Sequence, residues 1–417
     1  MPWFYNIFII IYGLLIRCAS PFNVKASQWV AGRKKIFRQL EKVFPAKQKV
    51  AWFHCASLGE FEQGRPVIEG FRRNYPDFKI CITFFSPSGY EIRKNYTGAD
   101  YIFYLPLDTP GNASRFVKLV SPALVFFVKY EFWFNYFKAL ARRGTPLFVV
   151  SVNFRKDQHF FKWYGGWFRK HLRTVKHFFV QKDLSQILLN KINISNVTIC
   201  GDSRFDRVHQ ITSGVKSYPL IQRFCEGYEI IIAGSSWPAD EALLVKLINE
   251  GKTNYKYIIA PHIVDIPHVS GLAEKIKIHA IKYSEADEEN VMYAKVLIID
   301  CIGILSHVYQ YGNIAYIGGG FGAGIHNILE AATFGLPTIF GPNYKKFPEA
   351  IELISKNGAF SISRYTDFAD LIMRFKSDRK FLIEASRISR EYVRENTGAT
   401  EKILRGLNNF EKKYGLL

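Results

Sequence analysis

Two stretches of this 417-residue chain carry polar side chains directly after apolar runs, and each could do chemistry. The first is H-C-A-S-L-G-E, residues 54–60, where a strand-like segment turns toward a helix and presents Glu60. A carboxylate at this point could act as a general base. Ser57 and Glu60 also have the S-x-x-E spacing of a capping box, and the residues alone slightly favour that structural role.

The pKa of Glu60 is pulled in two directions. The positive end of the helix dipole would lower it, whereas burial beside Phe53 and Phe61 would raise it. The sequence does not show whether the helix dipole or burial has the larger effect on this pKa, so the capping role and the catalytic role both stay open.

The second stretch is the glycine-rich run 316–344, YIGGGFGAGIHNILEAATFGLPTIFGPNY. Its pattern predicts a buried strand over 313–317, a loop through the five glycines that follow, and a short helix over 327–334. A glycine-rich turn that leads into a helix gathers unpaired N–H groups and the positive end of the helix dipole, where a phosphate binds well. Glu330, one turn into this helix, could accept hydrogen bonds from ribose hydroxyls.

Asn327 and Glu330 are three residues apart, so they could instead simply cap this helix. Gly335 ends the helix, and Pro337 starts the next apolar strand. The spacing Glu-x4-Gly-x-Pro favours nucleotide binding, because it resembles the donor-domain signature of GT-B glycosyltransferases.

Apolar runs rich in β-forming residues alternate with stretches long enough for helices. In the first half these predicted strands cover 50–53, 80–85, 101–105, 124–128, 147–152 and 178–181. In the second half they cover 229–233, 257–260, 277–281, 296–300, 313–317 and 338–340. Such strands with helical crossovers indicate two Rossmann-like lobes with parallel sheets, joined near residues 208–219. Ligands bind at the carboxyl ends of parallel strands, so the active site is expected in an interdomain cleft.

Length and composition agree with a two-lobed enzyme. A single core usually serves roughly 250–300 residues, so a chain of 417 residues predicts two domains. The six cysteines have neither metal-binding nor disulfide spacing, which predicts reduced thiols and no metal site. The net charge of +20 indicates an anionic partner, either nucleic acid or an anionic membrane surface.

The N-terminal segment MPWFYNIFIIIYGLLI, residues 1–16, favours the membrane surface, because it is almost wholly apolar and precedes a basic segment. As a helix it would extend about 24 Å against a hydrocarbon core of roughly 30 Å. We predict an uncleaved membrane-anchor or interfacial helix, with the following chain on the cytoplasmic side. A core helix remains the alternative, and Ala19-Ser20 leaves a signal peptide open.

A second aromatic and basic stretch, residues 159–173 (HFFKWYGGWFRKHLR), has a composition suited to the headgroup depth of a membrane. The same mixture could stack on the bases of single-stranded nucleic acid. No RNA-binding or helix-turn-helix signature accompanies it, so no nucleic-acid partner is predicted.

Five motifs, in this order and spacing, resemble those of the 3-deoxy-D-manno-octulosonic acid (Kdo) transferases of lipopolysaccharide lipid A assembly. They are HCASLGE, VKYEFWFN, GDSRFD, IDCIGIL and GGGFGAGIHNILEAATFGLPTIFGPNYKKFPEA. The resemblance covers nearly the whole chain, including the hydrophobic N-terminus. It implies an α/β protein of GT-B fold that transfers Kdo from CMP-Kdo to a hydroxyl of a phosphorylated lipid A precursor, with inversion and without a metal. No cofactor is implied beyond this donor, and the implied location is the cytoplasmic face of the cell inner membrane.

The resemblance also implies roles for individual residues. Glu60 falls on the catalytic base of the family, and Glu131 falls on a residue that supports the transition state. Arg204 stands where the family usually has a lysine with that same role, which keeps the positive charge but changes its geometry. The implied nucleotide-binding residues are Pro261, His262, Ile302, Gly303, Ile304, Asn327, Ile328, Leu329 and Glu330.

Two departures from the family pattern fall in the implied donor site. The usual Pro-Arg-His is Pro261-His262 here, which removes an arginine contact to the donor phosphate. The usual Met-Gly-Glu is Ile-Gly-Ile at 302–304, so any role of that carboxylate passes to backbone groups or is lost.

Together these observations predict three segments. Residues 1–24 form a hydrophobic membrane anchor, 25–212 an N-terminal acceptor-binding domain, and 213–417 a C-terminal domain that binds the CMP-sugar donor. Candidate partners for the acceptor phosphates are Arg33, Lys34, Lys35, Arg155 and Lys156. Two other hypotheses stay open: a GT-B glycosyltransferase or epimerase that uses another nucleotide sugar, and a basic adaptor with an inactive nucleotide-binding fold.

Overall fold

The computed structural model describes residues 2–44 and 48–414, so Met1 of the predicted anchor lies outside the described residues. The chain divides into two compact units. The second unit comprises residues 208–396, and the first unit contains the residues on both sides of it.

This division differs from the predicted domains at both of its boundaries. The first crossing between units lies at 207/208, whereas the sequence placed it at 212/213. Residues 397–417 then return to the first unit instead of completing the second. The chain therefore passes between the units twice.

The described part of the first unit contains a seven-stranded parallel sheet. Its strands are β1 (Val50–Cys55), β2 (Lys79–Phe84), β3 (Tyr101–Tyr104), β4 (Leu124–Val128), β5 (Leu147–Val152), β6 (His177–Val180) and β7 (Val197–Ile199). They lie in the order β3-β2-β1-β4-β5-β6-β7. In β1, Ala51 lies opposite Ile80 of β2 and Leu124 of β4. Because the chain winds outward to either side of β1 and β4, this pair is the topological switch point of the sheet.

The described part of the second unit repeats this plan with another seven-stranded parallel sheet. Its strands are β8 (Ile230–Ser236), β9 (Lys256–Pro261), β10 (Ala280–Lys282), β11 (Val296–Ile298), β12 (Ile314–Ile317), β13 (Thr338–Phe340) and β14 (Ala359–Ser361). They lie in the order β10-β11-β9-β8-β12-β13-β14, with the switch point between β8 and β12.

Helices connect these strands. Those that precede the first crossing are α1 (Pro2–Ala19), α2 (Val24–Arg33), α3 (Ile36–Val43), α4 (Leu58–Asn74), α5 (Pro87–Arg93), α6 (Pro110–Val120), α7 (Phe134–Arg142), α8 (Gly166–Leu172) and α9 (Asp183–Asn190). α10 (Ser203–Ser213) runs across the crossing. The remaining helices are α11 (Pro219–Cys225), α12 (Pro238–Glu250), α13 (Ile266–Lys275), α14 (Asn290–Tyr293), α15 (Leu305–Val308), α16 (Leu329–Ala332), α17 (Pro348–Ser355), α18 (Tyr365–Ser377), α19 (Arg379–Glu395) and α20 (Ala399–Tyr414).

Apolar side chains cover both faces of the first sheet. Successive residues of a strand point to opposite faces, so Trp52 and Phe53 of β1 belong to separate buried clusters. The second cluster includes Ile403 and Leu407 of α20, which are fully buried. The last helix therefore completes the core of the first unit, although the whole second unit precedes it in sequence.

Each predicted strand has a counterpart in the structure, but β7 and β14 were not predicted. Both are three-residue strands at the edge of a sheet, and they are too short to show a clear apolar pattern. The strand predicted over 277–281 begins three residues later, as β10.

The N-terminal helix α1 has two unlike faces. On one face, Ile9 is buried and the Tyr5 hydroxyl donates a hydrogen bond to the buried Asp108 (2.5 Å). On the other face, large side chains are exposed, among them Trp3 (80%) and Phe8 (64%). No helix within residues 2–44 and 48–414 is long and apolar enough to cross a membrane, so the predicted anchor finds no support in the structure. The alternative of a core helix describes one face of α1.

Candidate functional site

The switch point of the first sheet brings together two segments that are far apart in sequence. β1 leads into α4, whose first turn carries Glu60. The neighbouring strand β4 leads into a connection, residues 129–133, that carries Glu131. Both carboxylates therefore follow the carboxyl ends of adjacent parallel strands, where ligands bind in open α/β sheets.

Glu60 does cap α4, as the S-x-x-E spacing indicated. Its Oε2 accepts hydrogen bonds from the main-chain N–H groups of Ala56 (2.5 Å) and Ser57 (3.2 Å). Its Oε1 has no hydrogen-bond partner in the part of the chain that the structure describes. The cap thus occupies only one of the two carboxylate oxygens, and the other remains available to a substrate.

The pKa of Glu60 is raised to about 7. Burial is the largest cause, and the negative charge of Glu131 adds to it. The N–H groups of Ala56 and Ser57 and the positive charge of Lys129 act in the opposite direction. Burial therefore outweighs the effect of the helix start, and a group with this pKa can exchange a proton near neutral pH.

Glu131 is held by aromatic neighbours. Its Oε2 accepts a hydrogen bond from the Trp133 indole (2.7 Å) and lies 3.4 Å from Nε2 of the buried His54. Nδ1 of His54 lies 3.1 Å from the carbonyl oxygen of Thr83, which can only accept, so we assign the imidazole proton to Nδ1. The bare Nε2 then accepts from the same Trp133 N–H (3.0 Å).

Arg204 lies at the start of α10 and is oriented by Asp202. Its Nε and Nη2 lie 2.9 and 2.8 Å from Oδ2 of Asp202. The other oxygen of Asp202 accepts from Nε2 of Gln63 (2.8 Å), which is on α4 one turn after Glu60. The third predicted catalytic residue is therefore tied to the helix that carries the first.

Two residues at this site were missed by the sequence analysis. Burial raises the pKa of Tyr130, and the charges of Arg155, Asp202, Arg204 and Glu60 also act on it, so it belongs to the same electrostatic environment as the predicted catalytic residues. Lys129 has a left-handed backbone (φ 63°), which is uncommon for a residue with a side chain and often found at functional sites. Their position in the sequence could have identified them as candidates, since both residues directly follow the apolar run of β4.

In the second unit, Asp240 fixes the glycine-rich run to the neighbouring strand end. It is fully buried at the third position of α12, directly after β8. Its Oδ2 accepts from the N–H groups of Trp237 (3.0 Å) and Gly319 (2.8 Å), and its Oδ1 accepts from the hydroxyl of Tyr316 (2.8 Å). Both oxygens are therefore used within the protein.

Glycine is required where the run passes the end of β8. A Cβ at position 318 would lie 2.1 Å from the carbonyl oxygen of Ser235, and Gly319 has a φ of 90°. The backbone of the loop can therefore approach β8 closely.

The helix that follows the glycine loop is shorter than predicted. α16 covers only 329–332, one turn instead of the predicted 327–334, and Asn327 lies before it. Oδ1 of Asn327 accepts from the N–H of Leu329 (3.2 Å), while its Nδ2 donates to Oε1 of Glu330 (2.9 Å). The capping alternative is thus present here too. The side chains of Ile328 and Leu329 are buried, so only their main-chain atoms could meet a ligand.

Three aromatic rings from separate segments stack at this end of the second sheet. His262, which follows Pro261 at the end of β9, stacks on both Trp237 and His326, at centroid distances of 4.5 and 4.7 Å. The Trp237 indole donates to Nε2 of His326 (3.0 Å). Burial and the neighbouring His262 lower the pKa of His326, which agrees with a neutral ring that accepts this bond. Trp237 and His326 were not predicted.

The predicted residues 302–304 follow β11, beside β9 in the sheet. Ile302 is 85% exposed, and Gly303 has a φ of 97°. No hydrogen bond or ring contact among the described residues joins 302–304 to the three stacked rings. In the same part of the chain, no group of three or more His, Cys, Asp or Glu residues could hold a metal ion.

The family model and the curated relatives that match this chain carry the same description. Residues 31–207 match the family model described as 3-deoxy-D-manno-octulosonic-acid transferase (kdotransferase). The 3-deoxy-D-manno-octulosonic acid transferase of Aquifex aeolicus is 27% identical over 383 residues, which cover 89% of this chain and 99% of that protein. The enzyme of the same name from Chlamydophila psittaci is 26% identical over 337 residues, covering 76% of this chain and 74% of that one.

Solved structures share the fold at lower sequence identity. A UDP-GlcNAc 2-epimerase from Neisseria meningitidis, bound to UDP-GlcNAc, has a TM-score of 0.61 with 15% identity, and the match covers 87% of this chain and all of that one. MurG of Acinetobacter baumannii has a TM-score of 0.52 with 13% identity and the same coverage. These likenesses establish a GT-B-like pair of parallel-sheet α/β units. Residues 31–207 thus carry the Kdo transferase family domain, the chain is similar to Kdo transferases over most of its length, and the protein is a glycosyltransferase.

Proposed function

We propose that this protein transfers Kdo from CMP-Kdo to a hydroxyl group of a phosphorylated lipid A precursor, with inversion at the sugar carbon and without a metal ion. The observation that carries the proposal is the carboxylate of Glu60. It follows the switch-point strand β1, has one oxygen without a described partner, and has a pKa raised to about 7. A base of this pKa is suited to remove the proton of an attacking hydroxyl near neutral pH.

In the proposed step, Oε1 of Glu60 takes the proton of the acceptor hydroxyl while the acceptor oxygen bonds to the anomeric carbon of Kdo. The bond from that carbon to the phosphate breaks, and CMP leaves with the electron pair. Glu131 assists because its negative charge raises the proton affinity of Glu60. Arg204, whose side chain is 34% exposed, supplies positive charge for the phosphate oxygens.

The second unit would hold the donor nucleotide mainly through its backbone. The main-chain N–H groups of Asn327 and Ile328 have no acceptor among the described residues, and such groups commonly bind phosphate. A helix of one turn adds little dipole, so the peptide groups themselves would supply the contact. Glu330 would accept from ribose hydroxyls, and Pro261 and the backbone of 302–304 would border the nucleotide.

The ring stack provides a second element of the proposed donor site. Trp237 and His262 are partly exposed and lie next to the glycine loop through the bond from Trp237 to His326. A flat aromatic surface of this kind can pack against a pyrimidine base or a sugar. We propose that it compensates for the arginine that is absent from the Pro261-His262 motif.

On the acceptor side, a cavity of about 710 Å³ combines apolar and basic residues. Ile10 and Leu14 of α1 line it together with Lys34 and Lys35, which are exposed. Of the predicted phosphate partners here, Arg33 is already engaged, because its guanidinium donates to three main-chain oxygens. An amphiphile with a phosphate group and acyl chains would match this surface.

We further propose that α1 lies on the anionic, cytoplasmic face of the cell inner membrane without crossing it. The exposed apolar face of α1 would enter the headgroup region, and nearby lysines and arginines would contact acidic lipids. The stretch 159–173 contributes less than predicted. Trp163 is 91% exposed, whereas Phe160 and Leu172 are buried in the core.

The proposal is tested by incubating the purified protein with CMP-Kdo and a phosphorylated lipid A precursor, with mass spectrometry of the lipid product. One or more mass increments of Kdo are expected, in the presence and absence of a metal chelator. Parallel reactions with UDP-linked sugars serve as the control. Turnover of a UDP-sugar without any Kdo-modified lipid would refute the proposal in favour of another nucleotide-sugar enzyme.

A further inference from the structure

A buried carboxylate outside the proposed catalytic pair joins α1 to the segment that carries Glu131. Asp108 is fully buried, and its Oδ2 accepts from the hydroxyl of Tyr5 (2.5 Å) and from the N–H of Asn135 (3.2 Å). Its Oδ1 accepts from the N–H of Tyr136 (3.1 Å). One side chain, from the segment before α6, therefore joins α1 to α7 in the first unit.

These bonds give α7 a cap that its own sequence does not provide. Trp133, the N-cap residue of α7, makes no side-chain capping bond. The first N–H groups of a helix need acceptors, and Asp108 supplies them from a distant part of the chain. Asn135 strengthens the junction, because its side chain donates both to the main-chain oxygen of Asp108 (2.6 Å) and to Oδ1 of Asn6 on α1 (2.9 Å).

The capped helix start limits where Glu131 can lie. Glu131 is in the short connection 129–133, which is fixed at one end by β4 and at the other by α7. Trp133, the last residue of this connection, donates directly to Oε2 of Glu131 (2.7 Å). A change in the start of α7 is therefore transmitted to the carboxylate through a single residue.

A second path, through Phe85, links α1 to Trp133 at the end of the connection 129–133. The ring of Tyr12 stacks on Phe85 (6.1 Å between centroids), and Phe85 lies 4.6 Å from the ring of Trp133. Near the junction itself, the ring of Tyr5 packs edge-on against Phe134 (5.2 Å). Two ring contacts, one direct and one through Phe85, thus link α1 to the end of the connection and the start of α7.

We propose that Asp108 is a positioning residue for Glu131, and that the hydroxyl of Tyr5 couples the seating of α1 to the placement of this carboxylate. The proposal rests on the role of Glu131 in the proposed function. Since α1 also carries the exposed apolar face, docking of this helix on an amphiphilic surface and alignment of the active site are linked through one hydrogen-bonded junction.

The test uses Tyr5→Phe in the full-length protein, because this change removes the hydroxyl but keeps the ring that packs against Phe134. We expect kcat for Kdo transfer to fall about 10-fold, with the KM for CMP-Kdo changed less than about twofold. Tyr101→Phe is the matched control, since its hydroxyl donates to Gln48 (2.8 Å) in the same unit but outside this junction. The control should retain kcat, and both variants should melt at similar temperatures.

A double-mutant cycle separates positioning from general stability. If Tyr5 acts through Glu131, adding Tyr5→Phe to Glu131→Gln causes no further loss of kcat. Equal losses in both backgrounds, or an unchanged kcat in Tyr5→Phe alone, would overturn the proposal.

Amide hydrogen exchange tests the Asp108 junction independently of the proposed catalytic role of Glu131. In Tyr5→Phe, the amides of Asn135 and Tyr136 should exchange faster than in the wild type, and in Tyr101→Phe they should not. Unchanged exchange in Tyr5→Phe refutes the junction whatever the kinetics show. If exchange accelerates but Glu131→Gln retains full activity, the proposed role of Glu131 is wrong, and the positioning proposal fails with it.

Discussion

Glu60 and Asp240 occupy equivalent places in the two units, yet their surroundings make them different. Each is the third residue of the helix that follows a switch-point strand of its sheet, α4 after β1 and α12 after β8. Asp240 is fully buried, and both of its oxygens accept hydrogen bonds from protein donors. Glu60 uses only one oxygen in this way, and a second carboxylate, Glu131, lies close enough to raise its pKa.

In the proposed function, the same local position thus serves structure in one unit and chemistry in the other. The S-x-x-E spacing of residues 57–60 predicts a cap, and a cap is present. What makes Glu60 a candidate base is the long-range part of its environment, namely burial and the charge of Glu131. Capping and catalysis are therefore compatible roles for one side chain.

The largest effect is expected for Glu60→Gln, which tests whether Glu60, unlike Asp240, has a catalytic role. Glu60→Gln keeps an oxygen that can cap α4 but removes the base, so kcat should fall by at least about 1,000-fold. Because the folded-state pKa lies above the ordinary value, ionisation of Glu60 opposes folding increasingly from about pH 4.5 to pH 7 and fully above that. At pH 8, Glu60→Gln should therefore melt no lower than the wild type.

The control for this prediction is Glu69→Gln, which changes a carboxylate of the same helix that pairs with Arg65 (2.7 Å). It should retain wild-type kcat. A large loss of stability in Glu60→Gln, or retained turnover, would show that Glu60 resembles Asp240 and serves only structure.

Asp240→Asn is expected to act on stability. The amide NH₂ cannot accept from the donors that meet the replaced oxygen, so a buried hydrogen bond is lost and two donors face each other. The free energy of unfolding should fall by about 2–4 kcal/mol in urea denaturation. Asp265→Asn is the matched control, because Asp265 caps α13 through the N–H of His268 (2.9 Å) and asparagine caps helices equally well. Equal stability of both variants would contradict the structural role of Asp240.

The pH dependence of kcat/KM tests whether Glu131 raises the pKa of Glu60. The rate kcat/KM should decline about tenfold per pH unit below pH 7, because protonated Glu60 cannot accept the substrate proton. In Glu131→Gln this acid limb should move to lower pH, since removal of the neighbouring negative charge lowers the pKa of Glu60. An acid limb that is unmoved in this variant would argue against coupling of the two carboxylates.

The smallest expected effect concerns the ring stack of the second unit. His262→Ala removes the ring that stacks on both of the others, so the dissociation constant for CMP should rise about fivefold, which corresponds to about 1 kcal/mol of lost stacking. Calorimetric titration measures this change. His279→Ala, an exposed histidine before β10, should bind CMP like the wild type. Equal affinities for all three proteins would remove the rings from the proposed donor site.

Much of this framework could be predicted from sequence, because buried parallel strands are long apolar runs and the innermost ones carry the candidate site residues. The strand ends before Glu60, Glu131 and His262 were predicted within a residue or two. The edge strands β7 and β14 were missed, because three residues carry too little pattern.

Other features depend on contacts between distant segments, which no local pattern reveals. The stack of Trp237, His262 and His326 joins three loops that are far apart in sequence. The helix after the glycine loop was predicted too long, because its apolar residues fit a helix but its start is fixed by local contacts of Asn327. The amphipathic pattern of α20 likewise predicts a helix but does not indicate which unit it covers.

The position of α20 has a consequence for the order of events during synthesis. Asp206 accepts hydrogen bonds from the N–H and hydroxyl of Thr400 (both 2.6 Å), and Ile403 fills the first core. All of residues 208–396 emerge from the ribosome before these partners do. The later-encoded unit can thus reach its native state first, while the earlier-encoded unit keeps an uncovered apolar face until α20 has been synthesised.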